Sequence, residues 1–286
     1  MIKCIVCDMD GTLIKPDDTL EENTLKALKH YINEGVEFII ATGRDINMVV
    51  DFLAMYDIHC DCILNNGAQY YRKDGSSDFY PMIPEAFIEI ATILDHYGYL
   101  LAIHTDHGMY SLCDADDFWD YHMRLLNKMP REFFVEKTFT VRERYLRTFH
   151  YARTPEDIIH NGVHPLKIDA RHMGDYSIEG VRKQLNIPHL DISSSFEDNI
   201  EITSDTSNKG ILLEKVVEQK GYSKDEVAVF GDGENDAAML EYFTYSFAPA
   251  NAGKHAKKAA KYQLKTTDQQ GCVYEGIRIL EDLKLL

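Results

Sequence analysis

Short apolar runs that stop at glycine or acidic residues recur along the first third of the chain, separated by stretches whose apolar residues fall three and four apart. The first run, Cys4-Ile5-Val6-Cys7, meets Asp8, Asp10 and Gly11. A run of this length bounded by a glycine turn predicts a buried strand, with Asp8 and Asp10 on the loop at its carboxyl end. Leu20 to Glu34 then carries Leu25, Leu28 and Ile32 at helical spacing, and Gly35 ends it. Glu37 to Ala41 predicts a second strand, stopping at Thr42-Gly43-Arg44-Asp45, where Asp45 can cap a helix bearing Met48, Val49, Phe52 and Leu53. Cys62-Ile63-Leu64 predicts a third, stopping at Asn65-Asn66-Gly67. Tyr70-Tyr71-Arg72 and Phe79-Tyr80 flank Asp74-Gly75 as a hairpin. Strands alternating with helices predict an α/β fold, a doubly wound parallel sheet with helices on both faces.

Beyond Pro81 and Pro84 the pattern changes. It predicts a long helix from Glu85 to Tyr97, a hairpin around Asp106-His107-Gly108, and strands over Arg147 to Ala152 and Leu166 to Ala170. A helix from Tyr176 to Leu185 and strands from His189 to Ser194 and Asn199 to Thr203 follow. The first pattern then returns: a helix from Lys209 to Gln219, a buried strand Val227-Ala228-Val229-Phe230 ending at Gly231-Asp232-Gly233, and a helix from Asp236 to Tyr242. The expected organisation is therefore a core of residues 1–82 and 204–286 with a mixed α/β insertion, 83–203, between its halves. No repeat of fixed period and no low-complexity linker interrupts it.

Composition narrows the partners. With 45% hydrophobic and 27% charged residues and only 8 Pro and 17 Gly, the 286-residue chain has the make-up of a globular protein of two domains. A net charge of −17, from 30 Lys+Arg against 47 Asp+Glu, repels nucleic-acid backbones and anionic lipid, so neither is an expected partner. No apolar stretch approaches the ~20 residues of a membrane helix, and Asp8 interrupts the amino-terminal run too early for a secretory segment. The expectation is a cytoplasmic protein. Six cysteines in a chain this long suit a reducing compartment better than a disulfide framework. Cys4 and Cys7 fall on opposite faces of a strand. Cys60 and Cys62 share a face and read as core rather than metal ligands. Oligomeric state stays open between a monomer and a weak dimer.

Four pieces of chemistry then fall at the end of the sheet where open α/β folds bind ligands: Asp8 with Asp10, Thr42-Gly43, the Lys209 helix start, and Asp232-Gly233-Glu234-Asn235-Asp236. Taken singly, each has a plainer reading. The first is an acidic turn, Thr42 a helix cap, and Lys209 a solvated residue in a first helical turn. Together they form a phosphoryl-transfer constellation. Asp8, Asp10, Asp232 and Asp236 would crowd one cleft, each pair at 4 Å repelling by about 4 kcal/mol at an effective dielectric near 20. A hard divalent cation, Mg²⁺, relieves that repulsion and admits a phosphate.

The order and residue types, Asp8-Met9-Asp10-Gly11-Thr12, then Thr42, then Lys209, then Gly231-Asp232-Gly233-Glu234-Asn235-Asp236, resemble the four motifs of the haloacid dehalogenase superfamily. With the insertion between the second and third, they resemble its Cof-type phosphatases, which carry a mixed α/β cap. The resemblance covers nearly the whole chain and implies an Mg²⁺-dependent phosphatase acting on a small phosphorylated metabolite, such as a sugar phosphate, a nucleotide or a cofactor phosphate. It implies Asp8 as the nucleophile that forms an aspartyl-phosphate and Asp10 as general acid and then base. The metal ligands it implies are the Asp8 carboxylate, the Asp10 backbone carbonyl and Asp232, with Asp236 supporting them. Thr42, Gly43, Lys209 and Asn235 would bind phosphate. The dehalogenases of this superfamily lack the second acid, so ester hydrolysis is expected over carbon–halogen chemistry. A phosphomutase and a non-catalytic metabolite-binding module remain the alternatives.

Outside the motifs, Arg44 follows the phosphate-holding turn and is a candidate for substrate specificity, with a surface ion pair as the plainer reading. His104 and His107 read as a surface hairpin rather than a metal site. Trp119 reads as core, Asp114 to Asp120 as a solvated acidic face, and Lys254 to Lys261 as the exposed face of a helix. Family members commonly carry Met-Gly-Asn-Ala and a later Asp-Gly-Val. Ala248-Pro249-Ala250-Asn251-Ala252 and Gln270-Gly271-Cys272 stand there instead, which bears on loop shape rather than on the reaction.

Overall fold

The computed structural model describes residues 1–127, 140–172, 185, 187–193 and 199–286. By their internal contacts these form two units, Met1–Asp78 with Asn208–Leu286, and Phe79–Ser207. The middle unit is slightly longer at both ends than the sequence predicts. The Met82 N–H donates to the Pro165 carbonyl and the Asp205 N–H to that of His189, which ties the flanking residues to the middle unit.

The first unit opens with β1 (Cys4–Cys7), α1 (Glu22–Asn33), β2 (Glu37–Ala41), α2 (Ile46–Tyr56), β3 (Asp61–Leu64), β4 (Gln69–Tyr71) and β5 (Ser77–Phe79). Local chemistry sets the boundaries. Asp45 caps α2 by accepting the Met48 N–H, Glu21 caps α1, and Gly35 beyond α1 takes φ +93°. Cys4 and Cys7 fall on opposite faces of β1, and both are buried, as are Cys60 and Cys62.

The middle unit contains α3 (Pro84–His96), β6 (Leu100–Thr105), β7 (Gly108–Ser111), α4 (Ala115–Leu126), α5 (Arg142–Tyr145), β8 (Phe149–Tyr151), α6 (Pro155–His160), β9 (Pro165–Arg171), β10 (Leu190–Ser193) and β11 (Asn199–Ser204). Its six-stranded sheet runs β10-β11-β9-β6-β7-β8, antiparallel except between β7 and β8. One face is apolar: Leu101, Ile103, Ile168, Ala170, Ile200 and Ile202 pack with Phe87, Ile90 and Leu94 of α3 and Ile158 of α6. Residues of opposite parity carry charge. Asp169 lies beside Ala102 and Glu201, and Lys167 beside His104; Lys167 forms a buried ion pair with Glu201. Strand alternation therefore buries His104, contrary to the surface hairpin expected, whereas His107 is exposed. Trp119 is half-buried on α4 rather than core. Asp116, Asp117 and Asp120 on the same helix are exposed, as their spacing predicts. The helix expected over Tyr176 to Leu185 lies, apart from Leu185, outside the described residues, as does Ser194.

The chain returns to the first unit with α7 (Lys209–Gln219), β12 (Val227–Phe230), α8 (Ala237–Tyr242), β13 (Tyr245–Ala248), α9 (Lys254–Ala259), β14 (Tyr262–Gln263) and α10 (Cys272–Asp282). The helix expected from Asp236 starts one residue later, after a tight turn over Glu234–Asp236. The eight-stranded sheet runs β14-β13-β12-β1-β2-β3-β4-β5, with β14 through β3 parallel and β4 antiparallel to β3. Winding goes one way from β1 to β3 and the other from β12 to β14. The crevice between the carboxyl ends of β1 and β12 is thus the switch point where such sheets bind ligands. Among the described residues no helix is long and apolar enough to cross a membrane.

α10 packs onto this sheet through Gly276, where an added Cβ would lie 2.2 Å from the Phe230 ring. Phe230 is fully buried and stacked on Phe247, so the ring has nowhere to retreat. Gly276→Ala is expected to destabilise the protein by about 1–3 kcal/mol, the usual range for overpacking a core. In urea unfolding this appears as a lower midpoint with an unchanged slope.

Candidate active site

The crevice is filled by one ionic cluster. Asp8 follows β1 directly, its backbone N–H still pairing with the Phe230 carbonyl, and the residue is 5% exposed. The first residue of α7, Lys209, is wholly buried. Its Nζ donates to Asp8 Oδ1 and to Asp236 Oδ1, each at 2.7 Å. Asn208 caps α7 by accepting the Ile211 N–H, which fixes where the helix starts and therefore where Lys209 stands. Asp236 turns its other oxygen, Oδ2, back on its own loop and accepts the N–H groups of Asp232 (3.0 Å) and Gly233 (2.9 Å). That closure forms the tight turn before α8. Asp232 Oδ1 accepts the Thr12 hydroxyl at 3.1 Å, and an added Cβ at Gly11 would lie 2.5 Å from Asp232 Oδ2. The loops carrying the first and last motifs thus touch. Asn251 braces the contact by donating to the Gly11 carbonyl at 2.7 Å, while the Gly253 N–H donates to the Asp232 carbonyl.

A second strand of contacts joins the turns after β2 and β3. Thr42, 1% exposed, accepts the Arg44 N–H on its hydroxyl, and its carbonyl accepts the Asn66 N–H; the Arg44 carbonyl accepts that of Asn65. Asn66 Oδ1 accepts from Asn235 Nδ2 at 3.0 Å, which links this pair of turns to the Asp232 loop. Gly67 packs against the start of α7, where an added Cβ would lie 2.3 Å from the Asn208 carbonyl carbon. Arg44 is not a surface residue. Its buried guanidinium grips Asp10 through Nε (2.8 Å) and Nη2 (2.7 Å), and Nη2 also reaches Asp18 at 2.8 Å. Sequence reasoning gave no role to Thr12, Asp18, Asn66 or Asn251. The Asn65-Asn66-Gly67 stop after a strand was visible but read only as a turn.

The electrostatics call for a cation. Single ligand atoms of Asp8, Asp232 and Asp236 lie within 4.8 Å of one another, and Lys209 offsets only one of the three charges. Burial and then repulsion from Asp236 push the Asp8 carboxyl well above its ordinary range, against the pull of Lys209. Burial, with Asp236 again second, raises Asp232 to about 7. Burial alone would lower the Lys209 ammonium, but Asp236 and Asp8 outweigh it and hold it firmly charged. Asp236 is occupied by three donors, so Asp8 and Asp232 are the carboxylates placed to meet an ion. All-oxygen donors with a two-charge deficit fit a hard divalent ion such as Mg²⁺.

A family model described as haloacid dehalogenase-like hydrolase matches residues 5–277. The 5-amino-6-(5-phospho-D-ribitylamino)uracil phosphatase YcsE of Bacillus subtilis is 25% identical over 277 residues, covering 97% of this chain and 95% of its own. A haloacid dehalogenase-like hydrolase structure from B. subtilis superposes with a TM-score of 0.83 at 22% identity, covering 98% of this chain and 100% of that one. A subclass IIB sugar phosphatase superposes with a TM-score of 0.77 at 17% identity, covering 99% and 100%. The chain belongs to the haloacid dehalogenase-like hydrolases, and it is an enzyme of their phosphatase type.

The raised Asp232 carboxyl has a thermodynamic signature. Between about pH 4, where an unfolded aspartate loses its proton, and pH 7, the folded protein keeps a proton that the unfolded chain has released. This group therefore makes the cation-free protein less stable as pH rises through that window. A cation bound there would take the proton's place. The gain in melting temperature on adding Mg²⁺ is expected to be larger at pH 8 than at pH 6, and Asp232→Asn should shrink that difference, with the raised Asp8 carboxyl supplying what remains. An equal gain at both pH values in the wild type would contradict this account.

Proposed function

We propose that this chain is an Mg²⁺-dependent phosphatase that hydrolyses phosphate monoesters of small metabolites through an aspartyl-phosphate on Asp8, with the middle unit serving as its cap. The observation that carries the proposal is the buried Asp8–Lys209–Asp236 cluster beside Asp232 at the switch point of the sheet. Asp8, the Asp10 backbone carbonyl and Asp232 would hold the ion, with Asp236 bracing the loop. When bound, Mg²⁺ supplies the positive charge that draws a phosphate in and polarises its phosphorus.

Lys209 engages Asp8 at one carboxylate oxygen, which aims the carboxylate while leaving the other oxygen to attack phosphorus. The Thr42 hydroxyl, the Gly43 amide, Lys209 and the Asn235 carboxamide are the donors for the transferring oxygens, where charge builds in the transition state. Asp10 delivers a proton to the departing ester oxygen, then takes one from the water that cleaves the aspartyl-phosphate. To do so its carboxylate turns away from Arg44. Asp18 stays on the guanidinium as it turns, so no buried charge is stranded.

Two relatives frame the substrate class, one named for a phosphorylated ribityl compound and one for sugar phosphates. A phosphorylated sugar, sugar alcohol, nucleotide or cofactor fits the same chemistry. Six free cysteines suit a reducing compartment, and we place the protein in the cytoplasm.

Phosphate release from a panel of such esters with Mg²⁺ tests the proposal. Asp8→Asn is expected to show no release above buffer, and Asp10→Asn about 10²–10⁴-fold less than wild type, the usual worth of a positioned acid–base group. Equal, slow release by wild type and Asp8→Asn would sink the reading.

A further inference from the structure

The loop after β3 is built in a way that stability alone does not explain. Asn65 and Asn66 both take left-handed backbone, φ 51° and 56°, and Gly67 follows at φ +99°. Three successive residues of this kind at a strand end are rare, and such strain gathers at working sites. Asn65 Oδ1 is moreover the one buried side-chain oxygen or nitrogen without a hydrogen-bond partner among the described residues. The conformation places Asn66, 3% exposed, between two loops that share no strand contact: its backbone N–H holds the Thr42 carbonyl at 3.1 Å and its Oδ1 holds Asn235 Nδ2 at 3.0 Å. Asn66 itself lies between two proposed phosphate donors and is assigned to neither.

We propose that Asn66 is a positioning residue for phosphoryl transfer: it orients the Asn235 carboxamide and fixes the Thr42 turn, so that donors from two loops present one preset geometry to the phosphate. This rests on the phosphatase reading given above. By accepting one proton of the Asn235 amide, Asn66 fixes the plane of that group and so the direction of its second N–H. Without that bond the carboxamide rotates, and the donor must be ordered anew each time a phosphate binds. The loss falls on transition-state stabilisation, because preset donors work by needing no reorganisation when charge develops.

The experiment is a double-mutant cycle of Asn66→Gly and Asn235→Ala, using p-nitrophenyl phosphate with Mg²⁺ as substrate and inorganic phosphate as inhibitor. Glycine tolerates the left-handed backbone and keeps the N–H to Thr42, so only the carboxamide is lost. Asn66→Gly is expected to lower kcat/KM about tenfold, mostly in kcat, and to weaken phosphate inhibition, at the lower end of what lost support around a site costs. The double variant should fall within about twofold of Asn235→Ala alone, because a bond already broken cannot be broken again. Multiplying effects, or an Asn66→Gly enzyme within twofold of wild type, would overturn the inference while leaving the phosphatase reading intact. A wild type without phosphate release would remove the reading beneath it instead. Should Asn66→Gly fail to fold, Asn66→Asp keeps both the backbone tolerance and an Oδ acceptor. It should then hold kcat within about threefold while phosphate inhibition weakens from the added charge, and a kcat as low as that of Asn235→Ala would overturn the proposal.

Discussion

One buried ammonium organises the first unit. Lys209 is wholly enclosed and spans two carboxylates, one 201 residues before it and the other 27 after it. A charge taken out of water survives only if paired, and breaking such a pair strands whatever remains. The start of α7 must therefore sit in the crevice between β1 and β12. Neighbouring residues make room for it: a Cβ at Gly210 would lie 2.7 Å from that of Ala238, and one at Gly67 would strike the Asn208 backbone. Three acids around one lysine also leave the crevice short of positive charge, so the pairing that holds the fold together leaves a cluster that could hold a metal ion.

Much of this was legible because apolar runs stop abruptly. β1, β2 and β12 end where Asp8, Thr42 and Gly231 interrupt them, and strand ends in an open sheet are where ligands gather. The spacing of Lys209 to Gln219 predicts the observed α7 boundaries. What local pattern could not supply is burial decided by distant partners. The plain reading of Lys209 is a solvated first-turn residue and that of Arg44 a surface ion pair. Both are buried, because their carboxylate partners come from other loops, 201 and 34 residues away in sequence for Asp8 and Asp10. Asn66 escaped for the same reason, its partner lying 169 residues on.

Errors of pattern have local causes. α10 buries Cys272, Val273, Gly276, Ile277 and Leu280 along one face, a period left unassigned in the sequence because a glycine interrupts it. β14 is only 2 residues long, and β13, as short as β1 and β12, has Ser246 in place of an unbroken apolar run. In the middle unit His104 sits on the polar face of the sheet, where Lys167 and Glu201 are buried with it. Lys167 and Glu201 neutralise each other there, and Arg171 and Lys167 outweigh the burial that would otherwise raise Asp169. A polar residue beside a turn reads as exposed only when no such pairing waits for it.

The loop that places Asn66 also gives the molecule an ageing site. An asparagine followed by glycine is the pair in which the next backbone nitrogen most readily attacks the side-chain carbonyl, expelling ammonia through a succinimide. Asn66-Gly67 is such a pair, protected here by burial and by the two hydrogen bonds that hold it. Each opening of the loop lifts that protection, so slow deamidation would accumulate carboxylate beside the crevice in a chain whose fold still looks intact.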